Sequence, residues 1–128
     1  MKATNDQIRH ILMRLAVAVV FVAFGIWEIV QPSYWTAFVP SALSGLASAT
    51  LLVNLHGMLL LLVGLAILFG AYLRFASALA VLIMLEVTVG LWLESGFTDL
   101  IVRDLALLII AVALYFDDRR WLTITKKG

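Results

Sequence analysis

An adjacent arginine and aspartate, Arg103-Asp104, stand near the start of an apolar run that continues to Phe116. Charged groups inside an apolar helix are costly, so they generally pair with one another or mark a ligand or ion site. Two interpretations of this pair follow. The two charges neutralise each other and hold their helix in place, or Arg103 contacts the polar head of a ligand while Asp104 orients the guanidinium.

Three further ionisable residues, Glu28, His56 and Glu86, occur within long apolar stretches or at their edges. A carboxyl group in the middle of a membrane span, as expected for Glu86, is desolvated. Desolvation favours the neutral form, which can donate a hydrogen bond or pass a proton. The alternative is a hydrogen-bonding link between helices. His56 has the same two interpretations, because histidine serves both in proton transfer and in side-chain hydrogen bonding.

Two tryptophans, Trp27 and Trp35, lie on either side of Pro32 and close to Glu28 in the sequence. Tryptophan is enriched at the boundary between hydrocarbon and water, where its ring is buried and its N–H can hydrogen-bond to water. Anchoring at this interface is the simpler interpretation. Contact with a lipophilic ligand is the second.

The apolar composition identifies the class of protein that must position these residues. The chain has 128 residues, 13% of them charged, and a mean hydropathy of +1.09. Soluble domains carry about 25% charged residues. We therefore expect an integral membrane protein with a single domain over residues 1–128. The first apolar run, 15–26, is followed by Trp27-Glu28 and not by a small-residue cleavage site, so it is expected to be retained as a span.

Four apolar segments have lengths suited to crossing about 30 Å of hydrocarbon, which takes roughly 20 helical residues. These predicted spans cover residues 11–30, 51–69, 75–93 and 99–116. Residues 31–50 are predicted to form an interfacial outer loop. The long run 51–93 must turn back once, and Gly70 to Arg74 is the predicted turn. The predicted fold is an all-α integral membrane protein, a four-transmembrane-helix up-and-down bundle.

The basic residues are distributed unevenly along these spans. Those predicted on one side are Lys2, Arg9, Arg14, Arg74, Arg119, Arg120, Lys126 and Lys127. Arg103 is the one basic residue predicted on the other side. The positive-inside rule then places both termini in the cytoplasm and the protein in the inner (plasma) membrane. Glu28, His56 and Arg103-Asp104 fall in the outer half of the bundle, with Glu86 near its middle, which predicts a shared polar site.

Small and polar residues of the second span indicate how it packs. Gly57 and Gly64 are seven residues apart and share a helix face with Asn54, so a neighbouring helix can approach closely there. Asn54 and His56 are about 200° apart around a helix and cannot point at one spot.

The order of these motifs resembles that of a known family. The elements in question are Arg14, Gly25, Pro32, Tyr34-Trp35 and Val39-Pro40, then Gly57, Gly64, Gly70 and Arg74, and finally Val102-Arg103-Asp104-Leu105. Over nearly its whole length the chain resembles the DoxX-like membrane proteins, which are related to the DoxD subunit of thiosulfate:quinone oxidoreductase. Glu28 stands where the family commonly has Lys, and Leu60 where it commonly has an acidic residue. A Lys–Glu contact between the first two spans cannot form, and His56 with Glu86 is the expected substitute.

The resemblance implies a subunit of an oxidoreductase complex that binds a quinone or another lipophilic molecule in the outer half of the bundle. Glu86 and His56 would transfer protons. The ligand would be contacted by Arg103, Asp104, Glu28, Trp27 and Trp35. Expected partners are membrane lipid, other membrane subunits, a redox protein or further copies of the chain. The alternatives are a structural or assembly subunit without catalytic function and a small proton-conducting or transport protein.

The chain offers few ligands for a redox centre of its own. It contains no cysteine, which excludes iron–sulfur clusters held by this chain alone. Its two histidines, His10 and His56, are predicted at different depths, so no haem between them is expected. It has no glycine-rich nucleotide fingerprint and no cluster of metal ligands. We therefore predict no flavin, no metal and no nucleic-acid partner, and electrons would come from another protein.

Overall fold

The computed structural model describes residues 4–36, 39, 45 and 48–117, and the regular structure within them is helical. The helices are α1 (Asn5–Val30), α2 (Pro32–Trp35), α3 (Ala49–Phe69), α4 (Leu73–Ser95) and α5 (Asp99–Phe116). The predicted positive-inside asymmetry depends partly on Lys2, Arg119, Arg120, Lys126 and Lys127, which lie outside the described residues, as does Pro40 of the family motif.

Helix α1 begins six residues before the predicted first span. Thr4 caps it, because its hydroxyl accepts a hydrogen bond from the Gln7 amide at 3.2 Å while the Gln7 side chain accepts one from the Thr4 amide at 2.7 Å. This reciprocal capping box satisfies two amides that a helix start would leave without partners. An exposed Arg9–Asp6 ion pair follows in the first turns.

The predicted outer loop, 31–50, is partly helical where it is described. Pro32 starts the single helical turn of α2, a position where proline loses no helical hydrogen bond. Ser48 then caps α3, accepting a hydrogen bond from the Leu51 amide at 3.2 Å. The loop is therefore shorter than predicted, and α3 begins two residues earlier.

The turn between α3 and α4 is tighter than the sequence predicted. Gly70 adopts the left-handed conformation, with φ of 72°, and ends α3 as expected of a glycine at this position. Tyr72 is also left-handed, with φ of 47°, and α4 begins at Leu73. The prediction that Arg74 lies in the turn is wrong. Arg74 lies in the first turn of α4, where its guanidinium is 5.1 Å from the centre of the Tyr115 ring.

Helices α1 and α3 pack antiparallel with their backbones close together. A Cβ atom on Gly25 would lie 2.7 Å from the Leu61 amide nitrogen, and one on Gly57 would lie 2.9 Å from the Gly25 carbonyl oxygen. A Cβ on Gly64 would meet Val22 at 2.9 Å. The close approach predicted for the face of Gly57 and Gly64 is confirmed.

Arg14 joins the first half of α1 to the end of α3. Its guanidinium donates hydrogen bonds to the carbonyl oxygens of Ile67, at 3.0 Å, and Leu68, at 2.9 Å. The last carbonyls of a helix have no partners within it and carry a partial negative charge. Arg14 is buried, and its hydrogen bonds hold α1 against the end of α3.

Helices α4 and α5 pack against each other, and in addition α5 packs against α1 and α4 against α3. Glu94 and Ser95, predicted to lie in the break before the last span, are in α4, and the connection is residues 96–98. At the other end of α5, Asp117 lies 3.3 Å from the buried His10 of α1. The shared core contains Val17, Phe21, Leu60, Ile67, Leu73, Ala80, Ala111 and Leu114.

Three helices, α1, α3 and α4, are long and apolar enough to cross a membrane. Their outward side chains are mostly apolar, including Val19, Leu62 and Leu82, each more than 60% exposed. Helix α5 has 18 residues, carries the three charged residues Asp99, Arg103 and Asp104, and is not one of these three. In the part that the structure describes, the chain is thus a helical membrane protein.

Candidate functional site

A cavity of about 560 Å³ lies at one end of the helices. It is enclosed by the C-terminal halves of α1 and α4 and the N-terminal halves of α3 and α5, with α2 beside it. Most of its lining is apolar or aromatic, contributed by Val20, Phe21, Phe24, Trp27, Tyr34, Trp35, Val39, Leu52, Val53, Leu55, Leu59, Leu60, Met84, Val87, Gly90, Leu91 and Leu100. Its ionisable lining residues are Glu28, His56, Glu86, Arg103 and Asp104.

The imidazole of His56 lies between two carboxylates from two other helices. Its Nδ1 is 2.9 Å from Glu28 Oε1 on α1, and its Nε2 is 2.8 Å from Glu86 Oε1 on α4. The Glu28 side chain is 10% exposed and that of Glu86 is 56% exposed. The three residues, which we call the triad, therefore run from the buried interior to an open side of the cavity. The predicted contact of His56 with Glu86 is confirmed, and the contact with Glu28 was not predicted.

The two hydrogen bonds of the triad determine how many protons it holds. A carboxylate oxygen only accepts, whereas a neutral imidazole has one donor nitrogen and one acceptor nitrogen. Both contacts are hydrogen bonds if His56 is an imidazolium, or if it is neutral and one carboxyl group carries a proton. Two protons are present in either case, and the net charge is −1. A proton can pass from one carboxylate to the other through the ring.

Arg103 and Asp104 form the pair that their adjacency suggested. The Nε and Nη2 atoms of Arg103 each lie 3.2 Å from Asp104 Oδ1. Asp104 is 2% exposed, and its Oδ2 is buried without a hydrogen-bond partner in the described part of the chain. The Arg103 guanidinium stacks 5.2 Å from the centre of the Phe24 ring. Within the described residues it forms no ion pair with Glu28 or Glu86.

Four aromatic rings cluster at the cavity where α1 meets α2. Trp27 lies 5.0 Å from Tyr34 and 4.9 Å from Trp35 between ring centres, and Phe24 lies 5.4 Å from Trp35. The Trp27 indole N–H donates to Gln31 Oε1 at 2.9 Å, which holds that ring in place. Aromatic side chains in such edge-to-face and offset contacts are stabilised beyond their burial.

All seven residues predicted for the site, Trp27, Glu28, Trp35, His56, Glu86, Arg103 and Asp104, line this one cavity. Asn54 does not line it, in agreement with the angle that separates Asn54 from His56. Phe24 and Tyr34 were missed as site residues. For Phe24 the available signal was its spacing, because it precedes Trp27 by three residues and thus lies near it on the helix surface.

The triad does not have the geometry of a metal site. In the described ranges, no three His, Asp or Glu side chains are placed to hold a metal ion. The carboxylate and imidazole groups are already joined by hydrogen bonds, so their chemistry is that of proton donors and acceptors.

Comparisons of the chain with protein-family models, with curated proteins and with solved structures found no match. The resemblance to DoxX-like proteins therefore remains a prediction from motif positions.

Proposed function

We propose that this chain is a DoxX-like inner-membrane subunit that binds a quinone or another lipophilic molecule in the cavity beside His56. The observation that carries the proposal is an apolar cavity with the hydrogen-bonded side chains of Glu28, His56 and Glu86 in its wall. The volume, about 560 Å³, is within the range of roughly 300–1,000 Å³ typical of small-molecule sites. Such sites are mostly apolar and use a few polar groups to orient the ligand.

In the proposed topology four helices, α1, α3, α4 and α5, cross the membrane and both termini are cytoplasmic. The cavity then opens in the outer half of the bilayer. The antiparallel packing of α1 with α3 supports this arrangement, since Arg14 contacts the far end of α3 while Gly25 contacts its first half. Because Arg103 and Asp104 form an ion pair, their opposite charges would largely cancel when α5 crosses the membrane.

The ligand ring would lie among the aromatic side chains of α1 and α2. One polar substituent would reach His56 and Glu86, and another would reach Arg103, whose side chain is about half exposed. The triad would exchange a proton with the substituent beside it through the imidazole ring. Electrons would be exchanged with a partner protein, because the chain has no cysteine for an iron–sulfur cluster and no nucleotide fingerprint for a flavin.

The test is to purify the protein in nanodiscs of its host lipids and analyse the extract for quinones by mass spectrometry. A short-chain quinone is then titrated while tryptophan fluorescence is recorded, since Trp27 and Trp35 line the cavity. We expect copurified quinone and saturable quenching, both weakened in Glu86→Gln. The control is Glu94→Gln, on the same helix but outside the cavity lining. Absence of quinone and of saturable quenching in the unaltered protein would reject the proposal.

The triad also supports a second candidate, a structural or assembly subunit without a ligand. Its hydrogen bonds link α1, α3 and α4, and hydrogen bonds of this kind hold membrane helices together. In that case Arg103→Ala would lower the amount of assembled complex while turnover per complex stayed the same. Lower turnover with unchanged assembly would favour the quinone site.

A further inference from the structure

The wall of the cavity is open towards the outside of the molecule between α3 and α4. Leu55 and Leu59 of α3 line the cavity, and they are 53% and 41% exposed. They share a helix face with Leu62, which is 66% exposed and outside the lining, so this face is directed away from the core. Although α3 and α4 are consecutive, they contact each other less than α3 contacts α1 or α4 contacts α5. We call the gap between Leu55 and Leu59 on α3 and Glu86 on α4 the lateral opening.

Glu86 lies on the border between the cavity and the outward surface of α4. Its carboxylate lines the cavity and bonds to His56, yet its side chain is 56% exposed. Neighbouring exposed side chains on its side of the helix are apolar, namely Leu82, Leu85, Val89 and Leu93. In a membrane protein such a surface contacts lipid, where a carboxylate is unfavourable unless it is paired or faces a polar cavity. Glu86 therefore places a polar group where a molecule dissolved in the lipid would first meet the cavity.

The lateral opening lies at hydrocarbon depth in the proposed topology. Leu59 follows Ala49, the first residue of α3, by ten residues, and Glu86 precedes Ser95, the last residue of α4, by nine. At 1.5 Å per residue these positions are about 15 Å and about 14 Å from the ends of their helices, near the middle of a hydrocarbon layer about 30 Å thick. The molecules that meet the opening are therefore lipid chains and solutes dissolved among them.

From these positions we propose that the ligand is a membrane-dissolved molecule with a polar ring and an aliphatic tail, which enters the cavity sideways through the lateral opening and leaves its tail over Leu55 and Leu59. The inference rests on the proposed function, because it assumes that a ring occupies the cavity. The ring lies beside the triad, and the tail stays in hydrocarbon. The hydrogen bond between His56 and Glu86 crosses the opening, so these two side chains move apart when the ring passes.

The other sides of the cavity suit a tail less well. On the side of α1 and α5, the apolar lining residues Val20 and Phe24 are only partly exposed, and the Arg103 guanidinium lies over the Phe24 ring. Trp27 and Tyr34 are exposed, but they lie at the end of α1 and in α2, where a tail would reach the lipid headgroups. Leu55 and Leu59 instead offer an apolar surface that continues into the surrounding lipid.

The test uses a benzoquinone with an aliphatic tail that carries a photoreactive diazirine, added to the protein in nanodiscs. After illumination, labelled residues are identified by mass spectrometry, with and without an excess of the same quinone lacking the diazirine. Label that the excess removes reports the bound tail, whereas label that persists reports contact with lipid. We expect removable label on Leu55, Leu59 and the facing residues of α4. It should be severalfold stronger than on Ala23 and Val102, which are exposed beside the contact of Phe24 with Arg103.

Removable label confined to Ala23 and Val102, or to Tyr34, would overturn this inference and leave the proposed function intact. Saturable quenching of tryptophan fluorescence without removable label at the lateral opening would do the same. Absence of both saturable quenching and removable label would reject the proposed function as well.

Two substitutions test the passage of the ligand separately from the final position of its tail. Leu55→Trp and Leu59→Trp each put a larger side chain at the edge of the opening, and both residues are exposed, so the fold should tolerate the change. At least one of them should slow the appearance of removable label severalfold after mixing. Leu62→Trp is the matched control, because Leu62 is exposed on the same helix face but outside the cavity lining, and it should leave the rate unchanged. Equal rates in all three variants and in the unaltered protein would overturn entry between α3 and α4.

Discussion

Glu28 Oε1 lies 2.9 Å from His56 Nδ1, so a carboxylate near the end of α1 is held by an imidazole in the first half of α3. The Glu28 side chain is 10% exposed, whereas Glu86, on the other side of the ring, is 56% exposed. Removal of the imidazole would leave Glu28 in a buried position without its donor. The two carboxylates therefore depend on His56 to different extents.

The first prediction concerns this dependence. His56→Leu should destabilise the protein by about 1–3 kcal/mol, because a buried acceptor left without a donor pays its full desolvation penalty. Glu28→Gln should cost less, since the amide oxygen can still accept from His56. Stability is measured by titrating bicelle-reconstituted protein with dodecyl sulfate and following helicity by circular dichroism.

A double variant tests the mechanism of that loss. When His56→Leu is combined with Glu28→Leu, the second change removes the carboxylate that the first left without a donor. The two costs should therefore sum to more than the cost of the double variant. Strict additivity would mean that the hydrogen bond contributes nothing to stability.

The second prediction concerns the contact between α1 and α3. Gly57→Ala should destabilise the fold by about 1–3 kcal/mol, the usual cost of inserting a methyl group into a packed interface. The added Cβ would lie 2.9 Å from both the Gly25 carbonyl oxygen and the Glu28 Cβ, and the backbone cannot move aside locally. The same dodecyl sulfate titration measures the effect.

Gly45→Ala is the matched control for this substitution, because a Cβ at Gly45 would meet no atom within 4 Å. It should leave stability within about 0.5 kcal/mol of the unaltered protein, as is usual for surface changes. If Gly57→Ala were as mild as Gly45→Ala, the close approach of α1 and α3 would not contribute to the fold.

Several helix ends were predictable from the sequence, and others were not. Gly70 ended α3 at Phe69 as predicted, because glycine readily adopts the left-handed conformation that ends a helix. The end of α5 at Phe116 was also correct. The start of α1 was missed because hydropathy locates the apolar core of a span, whereas the helix begins at the capping box of Thr4 and Gln7.

The site was predictable as a set of residues but not as a set of contacts. Helix direction and residue depth placed Glu28, His56 and Arg103 at one end, and depth follows from counting residues along a helix. The bond between Glu28 and His56 depends on how α1 and α3 are rotated about their axes. That rotation is determined by the close contact at Gly25 and Gly57, which involves both helices and cannot be read from either one alone.

The third prediction concerns Arg14, which donates to two carbonyl oxygens at the end of α3. Arg14→Met retains much of the side-chain length and removes both hydrogen bonds. Hydrogen bonds to charged groups contribute about 1.5–3 kcal/mol each, so we expect a loss of at least that size. The measurement is the midpoint of unfolding in dodecyl sulfate.

Arg9→Met provides the comparison for Arg14, because the Arg9 side chain is 72% exposed and its ion pair among the described residues is with Asp6 of the same helix. An exposed ion pair of this kind contributes about 0.2–1 kcal/mol. Equal losses for the two variants would show that Arg14 contributes no more than a surface arginine.

The last prediction concerns the proposed topology and uses the absence of cysteine from the chain. A single cysteine can therefore be introduced and labelled without removing any other. Gly45 is an exposed residue between α2 and α3, and Asn5 is an exposed residue in the first turn of α1, so these are the positions chosen for Gly45→Cys and Asn5→Cys. Intact cells treated with a membrane-impermeant maleimide should label Gly45→Cys and leave Asn5→Cys unlabelled. Permeabilised cells should label both.

The contrary result is labelling of Asn5→Cys in intact cells with protection of Gly45→Cys. It would mean that the topology is the inverse of the proposed one and that the cavity lies in the cytoplasmic half of the membrane. The triad would then exchange its protons with the cytoplasm, because the side of the cavity near Glu86 would lie closer to that surface.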